Sequence, residues 1–421
     1  MISKTAKPRI AWWHRFGPAE QTELFHAMPL VVEKLAKDYE VHFYGFKARK
    51  PIPETIKKNA IVHELPFYTD RSSPNDIKFK FLIWMLFFPC LALQCRFKRM
   101  KAVHIDESIP LFGILMLIFF GGPTSITVAD IYSDIYLQKN AFTRLIGRVL
   151  LALDFFSWRR LSLIITRAKA TKQYLINNGF NAERIVPIYD PCDFGLYHPL
   201  NRSECKKAFG YDDTQFVMVC HGILHPNKGV DRLIRATVAV RELYPHLRLL
   251  IVGDGNERPK LMALTKELGA ESMIQFTGWL PSSRDINRAI NAGDIGVIMR
   301  VGFESDHFHI TGGLVHNLCC RIPVLSVRLQ GIQEIVQDGE TGFLFDPINM
   351  KEFKEKLGIL VQDAPLRERI GKKGYELAMS LFSTERIATL TAECLANMAT
   401  GKSFATSSGS DWALTNPSDS R

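Results

Sequence analysis

With 421 residues, 47% of them hydrophobic and 23% charged, the chain is too long for one ordinary core and too apolar to be a disordered protein; two or three domains are expected. The whole net charge of +10 lies in the first half, where positions 1–200 hold 27 Lys and Arg against 17 Asp and Glu, while the remainder holds 26 of each. That asymmetry calls for an anionic partner of the first half, and since no nucleic-acid module is recognised, a membrane surface or a phosphorylated substrate is expected rather than nucleic acid.

Strand-like and helix-like stretches alternate along the first half. "RIAWW" (9–13) reads as a buried strand, "TELFHAMPLVVEKLAKDY" (22–39) as one amphipathic helix and "EVHFYGF" (40–46) as the next strand. "KAVHID", "TSITVAD" and "LSLIIT" repeat the short apolar run that ends in a polar residue, with helical stretches between them. Two longer apolar runs, Phe81 to Leu93 and Ile109 to Phe120, fall short of the roughly 20 residues that cross a bilayer, and Pro89 interrupts the first. They read as buried crossover helices. The basic flanks "KFK" and "RFKRMK" leave a second reading open for the first run, an interfacial helix on anionic lipid.

Tyr189 to Glu204, rich in prolines and turn formers, reads as an interdomain linker. A second alternating series follows: "FVMVCHG", a helix from Val230, "LRLLIVGDG", "MIQFTGWL", "AGDIGVIMR", "IPVLSV" and "TGFLF", with helices between them. Both halves therefore predict an α/β fold of two doubly wound, Rossmann-like domains, with a ligand cleft at the carboxyl ends of the strands. The boundaries expected are 1–200 and 201–383, then a helix over 384–400 returning to the first domain and a disordered tail over 401–421, whose Ser, Thr, Gly and Asn supply little to bury. Eight cysteines show no C-x-x-C pair and no zinc spacing, and "MISKTAKPRIAWW" lacks the apolar stretch of a signal peptide, so a reduced, cytoplasmic setting without a metal is expected.

Chemistry concentrates at the strand ends of the second half. "HGILHPNKG" places Gly222 at a carboxyl edge and Lys228 in the loop beyond it, a flexible cation able to meet a diphosphate, although the spacing is not that of a Walker loop. In "IVGDGNE", Gly253 and its neighbours Asp254 and Gly255 allow close approach of a ligand to the backbone. Thr311, Gly312 and Gly313 open a short helix, Thr311 as its cap and the glycines leaving its first amides unobstructed for a phosphate. Glu334 follows on a short helix ahead of the last strand.

The succession "GILHPNKGVDRLI", "LLIVGDGNERPKL", "IQFTGWLP", "IPVLS" and "IQEIVQDGETGFLF" resembles the donor domain of the retaining two-Rossmann-domain (GT-B) glycosyltransferases of family four, also called group one, over roughly Phe216 to Ser383. The first half resembles their acceptor domain by topology and by "RAKATKQYLINNGFNAERIVPIYDPCDFGLYHP". The resemblance implies transfer of a sugar from a nucleotide-sugar to an acceptor with retained configuration and no cofactor, with Lys228 neutralising the leaving diphosphate; the charge split and the Phe81–Leu93 run add the expectation of a lipid-linked or saccharide acceptor. It also implies donor contacts from Gly222, Gly253, Asp254, Thr311, Gly312, Gly313, His316 and Glu334. Several family positions are replaced. The arginine after the first glycine is Ile223, the paired glutamates fall on Phe308 and His316, and the family's histidine after "TSITV" falls on Ala129, followed by Asp130, the second catalytic candidate beside Lys228. Glu304, Asp306, His307 and His309 lie close to the altered positions. A membrane-associated glycosyltransferase is the expected function; a nucleotide-sugar epimerase of the same architecture and a non-catalytic sugar-nucleotide-binding relative are the alternatives.

Overall fold

The computed structural model of the chain describes residues 7–14, 16–47, 50–68, 74–129, 131 and 141–404, apart from the side chains at 20, 23, 24, 74–82 and 304. The chain divides into two compact units, Met1–Pro191 with Thr384–Arg421, and Cys192–Ser383.

The first unit is built on seven strands, β1 (Arg9–Trp13), β2 (Glu40–Lys47), β3 (Ala60–Tyr68), β4 (Ala102–Ile105), β5 (Thr124–Val128), β6 (Leu163–Thr166) and β7 (Ile185–Pro187). They lie in the order β3-β2-β1-β4-β5-β6-β7, every pair parallel. Every residue of β4, β5 and β6 is buried, as a strand covered on both faces requires. Right-handed crossovers place helices Pro74–Phe97, Phe112–Phe119 and Ala141–Trp158 on one face, and Pro18–Leu24, Met28–Leu35 and Glu54–Asn59 on the other. The closing helix Thr384–Thr400 packs on Met28–Leu35, where Lys34 meets Glu385 at 2.5 Å and the Tyr39 hydroxyl donates to the Ala396 carbonyl at 3.4 Å.

Three sequence expectations give way here. The single helix over 22–39 is two, because Pro29 at the start of Met28–Leu35 can follow a turn but not continue a helix across Phe25–Ala27. Pro89 does not interrupt its apolar run: helix Pro74–Phe97 passes through it. That helix buries Trp84, Phe88, Ala92 and Cys95 in the core while Leu86 and Phe87 face solvent, so a wholly buried helix does not describe it.

The second unit holds β8 (Phe216–His221), β9 (Leu247–Val252), β10 (Ile274–Gly278), β11 (Ile295–Ile298), β12 (Val324–Val327) and β13 (Phe343–Phe345), in the order β10-β9-β8-β11-β12-β13 and again all parallel. The break between units falls at Pro191/Cys192 rather than at 200/201, because the segment read as linker is fastened to the second unit. Cys192 donates its N–H to the Phe382 carbonyl at 2.9 Å. Asn291, fully enclosed, accepts the Leu200 N–H at 2.8 Å and donates to the His198 carbonyl at 3.0 Å. Of the expected tail, residues 405–421 lie outside the described residues.

Candidate functional site

In the second unit the strand order reverses at β8 and β11: from β8 the chain winds outward through β9 and β10, then returns to β11 and winds the other way. Loops after two such strands diverge and leave a crevice at their carboxyl ends. Here those loops are 222–229 after β8 and 299–311 after β11, and they bring Gly222, Lys228, Thr311 and Gly313 to the wall of one recess, with His221 and Met299.

The loops are held by backbone contacts that only glycine permits. Gly253 continues β9 with φ 134°, and a Cβ there would stand 2.1 Å from the Gly222 carbonyl oxygen; one on Gly255 would stand 2.3 Å from that of Leu224. Both glycines therefore serve the packing of one loop on the next, with Leu224 N–H donating to the Asp254 carbonyl at 2.9 Å. Asp254 does not present a free carboxylate. Its Oδ2 accepts from Arg258 at 3.1 Å and its Oδ1 from the Gly255 N–H at 2.8 Å.

Lys228 ends the 3-10 turn Pro226–Lys228, and the Val301 N–H donates to the Asn227 carbonyl at 3.0 Å, which ties this turn to the chain leaving β11. The ammonium is half-buried, and burial, assisted by the Arg300 charge, lowers its pKa to about 8; the Cys220 thiol and Asp306 act in the opposite sense. Among the described residues no carboxylate closes an ion pair with it. Arg300 is itself buried and committed: its Nη1 donates to Asp306 Oδ1 at 2.8 Å, and Asp306 also accepts from the Gly302 and Phe303 N–H groups at 3.2 and 3.1 Å. Lys228 thus lines the recess, while the neighbouring Arg300 charge is committed to Asp306.

Facing the loop is the helix Gly312–Cys319, whose cap Thr311 is buried and accepts the Leu314 N–H at 3.2 Å. A Cβ on Gly312 would meet nothing closer than 3.6 Å, so that residue is not demanded by packing and leaves the first turn open. His316, one turn in, stacks on Tyr197 with ring centroids 3.7 Å apart and planes 8° from parallel, and its Nδ1 stands 3.3 Å from His221 Nε2. Burial and the neighbouring Lys228 charge lower the His221 pKa to about 4, so His221 is neutral near pH 7. Phe308 lies half-buried at the end of the turn Glu304–Phe308, beside Asp306.

Other candidates are placed apart or lie beyond description. Glu334 is half-buried at the C-terminal end of the four-residue helix Gln330–Gln333 and is not among the residues lining the recess. Asp130 lies outside the described residues, and Ala129 is exposed after β5. The side chain of Glu304 is likewise outside the description, and among the described residues no three His, Cys, Asp or Glu are grouped to hold a metal ion.

Sequence reasoning missed Arg300, Tyr197 and His221, and in the first unit it missed a whole network at the switch point between β1 and β4. There Asp106 accepts from Gln21 at 2.5 Å and from Arg167 at 3.1 Å, His104 Nε2 stands 3.7 Å from the same carboxylate, and His14 Nε2 stands 3.6 Å from Glu107. Burial raises the Asp106 carboxyl, but the His104 hydrogen bond and the Arg167 charge outweigh it and hold the group well below the usual range. The local signal was "VHIDES", polar residues in place of the apolar end of a buried strand.

Solved glycosyltransferases share this pair of parallel sheets. HepE from Anabaena, whose crystal structure is a complex with UDP, has a TM-score of 0.68 to this chain over 93% of it and 100% of HepE, at 18% identity, and the fold is that of the GT-B glycosyltransferases. Residues 201–377 match the family Glycosyl transferases group 1. The match lies within the second unit, which is thus similar to group 1 glycosyltransferases over these residues. Its relatives include the lipopolysaccharide core biosynthesis glycosyltransferase LpsE of Rhizobium meliloti (strain 1021), 29% identical over 181 residues, 43% of this chain and 50% of LpsE. The putative glycosyltransferase EpsD of Bacillus subtilis (strain 168) is 25% identical over 203 residues, 48% of each chain. The chain spans about half the length of the curated relatives it matches.

Removing Asp306 strands the buried Arg300 charge, so Asp306→Ala is expected to lower the unfolding free energy of the protein by about 3–5 kcal/mol in a denaturant titration. Gly253→Ala, with its Cβ inside the Gly222 carbonyl, is expected to cost on the order of 3 kcal/mol in the same measurement. A variant of either kind that melts with the wild type contradicts the corresponding contact.

Proposed function

We propose that the protein moves a sugar from a nucleotide-sugar donor, with retention, to a lipid-linked or glycan acceptor presented at the cytoplasmic side of a membrane. The observation that carries the donor half of this reading is the Lys228 ammonium, partly desolvated at the switch point of the second unit and opposite a capped helix N-terminus. When a sugar–phosphate bond breaks, negative charge gathers on the departing diphosphate. Cations and amide N–H groups fixed beforehand stabilise that charge without reorganising, and removal of one such donor costs roughly 100- to 1,000-fold in rate. In this reading Lys228 meets the diphosphate, while the amides after Thr311 receive one of its oxygens. Gly222 lets the ligand lie against the β8 loop, and His316 offers its ring to donor hydroxyls from a position fixed by Tyr197 and His221.

The acceptor half rests on charge. The excess of cations falls entirely within residues 1–200, and no helix among the described residues is long and apolar enough to cross a membrane, so association at the surface is the mode proposed. The name of LpsE places that relative in lipopolysaccharide core biosynthesis.

Replacing the ammonium tests the donor half. Lys228→Ala is expected to lower kcat/KM for the donor about 100-fold or more while the thermal transition stays in place; an unchanged rate at limiting donor refutes the role. Because the charged form is required and its pKa is lowered to about 8, kcat/KM is expected to hold below that value and fall as pH rises through it. Asp306 supports the charge, so Asp306→Asn is expected to move that fall to lower pH, and a profile that stays put denies the coupling.

A further inference from the structure

Helix Ala141–Trp158 is apolar on two opposite sides. One side, Gly147, Asp154, Phe155, Ser157 and Trp158, is buried against the sheet. On the other, Phe142, Leu145, Ile146, Val149 and Phe156 repeat at helical spacing and face solvent, the first two with 72% and 61% of their surface exposed. A core helix has no use for the second stripe, and single exposed apolar residues are ordinary whereas a contiguous row is not. The row is continued sideways. Helices Pro74–Phe97, Phe112–Phe119 and Ala141–Trp158 pack side by side on one face of the sheet, and the outer sides of the first two expose Leu86, Phe87 and Ile118.

Charge distinguishes what can cover this surface. Arg144 and Arg148 project along the exposed side of Ala141–Trp158, Arg159 and Arg160 follow at its end, and Arg96 and Arg99 are exposed at the end of Pro74–Phe97. Among the described side chains of the three helices the single carboxylate is Asp154, which is buried. Apolar side chains flanked by arginines, with no exposed acid among the described side chains of the three helices, match the layered chemistry of an anionic bilayer surface, acyl chains beneath negative headgroups. We propose that this three-helix face, centred on the Phe142–Phe156 stripe, is the docking surface for an anionic lipid membrane. The inference rests on the reading of a membrane-borne acceptor and specifies which surface of the first unit meets it.

The test is flotation of the purified full chain with vesicles of phosphatidylcholine alone or with about one third phosphatidylglycerol, alongside UDP binding in solution. The wild type is expected to float with the anionic vesicles, to stay behind with the neutral ones and to be released by salt. Arg144→Gln with Arg148→Gln is expected to weaken partitioning roughly thirtyfold, and Leu145→Ser with Val149→Ser at least tenfold, both with unchanged UDP affinity, since none of these residues lines the Lys228 recess. Wild-type indifference to anionic vesicles overturns the proposal, as does undiminished binding by both variants. A concentration-dependent dimer that Leu145→Ser dissolves overturns it too, by naming a second copy as the occupant. UDP binding that survives any of these results leaves the donor reading standing; vesicle binding without UDP binding removes the donor reading and keeps the docking surface.

Discussion

An ammonium group taken partly out of water, next to a buried guanidinium and with no carboxylate paired to it among the described residues, is in an unfavourable state that an anion relieves. Lys228 is in that state. The carboxyl ends of β8 and β11 set the position, because they are the strands from which the chain departs in opposite directions. The glycine contacts between the β8 and β9 loops fix the height of the turn that carries it. The Arg300–Asp306 pair keeps a second positive charge nearby without leaving that charge free to compete for the ligand.

Much of this was legible before any coordinates. Parallel strands covered on both faces are continuous apolar runs that stop at a polar residue, so the six strands of the second unit and the loop holding Lys228 could be read directly. The partner of Asp254 also lay in plain sight: Arg258 stands four residues on, at the first turn of a helix, the spacing at which the two side chains meet. Arg300 and Tyr197 carry no local pattern. One depends on an aspartate brought back by a 3-10 turn, the other on a ring from a helix more than a hundred residues away in sequence, and neither pairing has a periodicity to betray it.

The first unit was harder to read for a different reason. Periodicity reports that a helix face is apolar, not that it is covered. Helix Ala141–Trp158 satisfies the core with one face and repeats the pattern on the other, so its sequence is that of a buried element while its outer stripe is bare. The two units thus present positive charge by opposite means: one partly desolvated lysine in a recess, and several solvated arginines beside an apolar surface.

The central claim is most directly tested by calorimetric titration with UDP at pH 8 in two buffers that differ in ionisation enthalpy. If the ammonium meets the diphosphate, its pKa rises on binding and the protein takes up about half a proton, an uptake absent from Lys228→Met. Equal heats in the two buffers, or the same uptake without the lysine, would contradict the account.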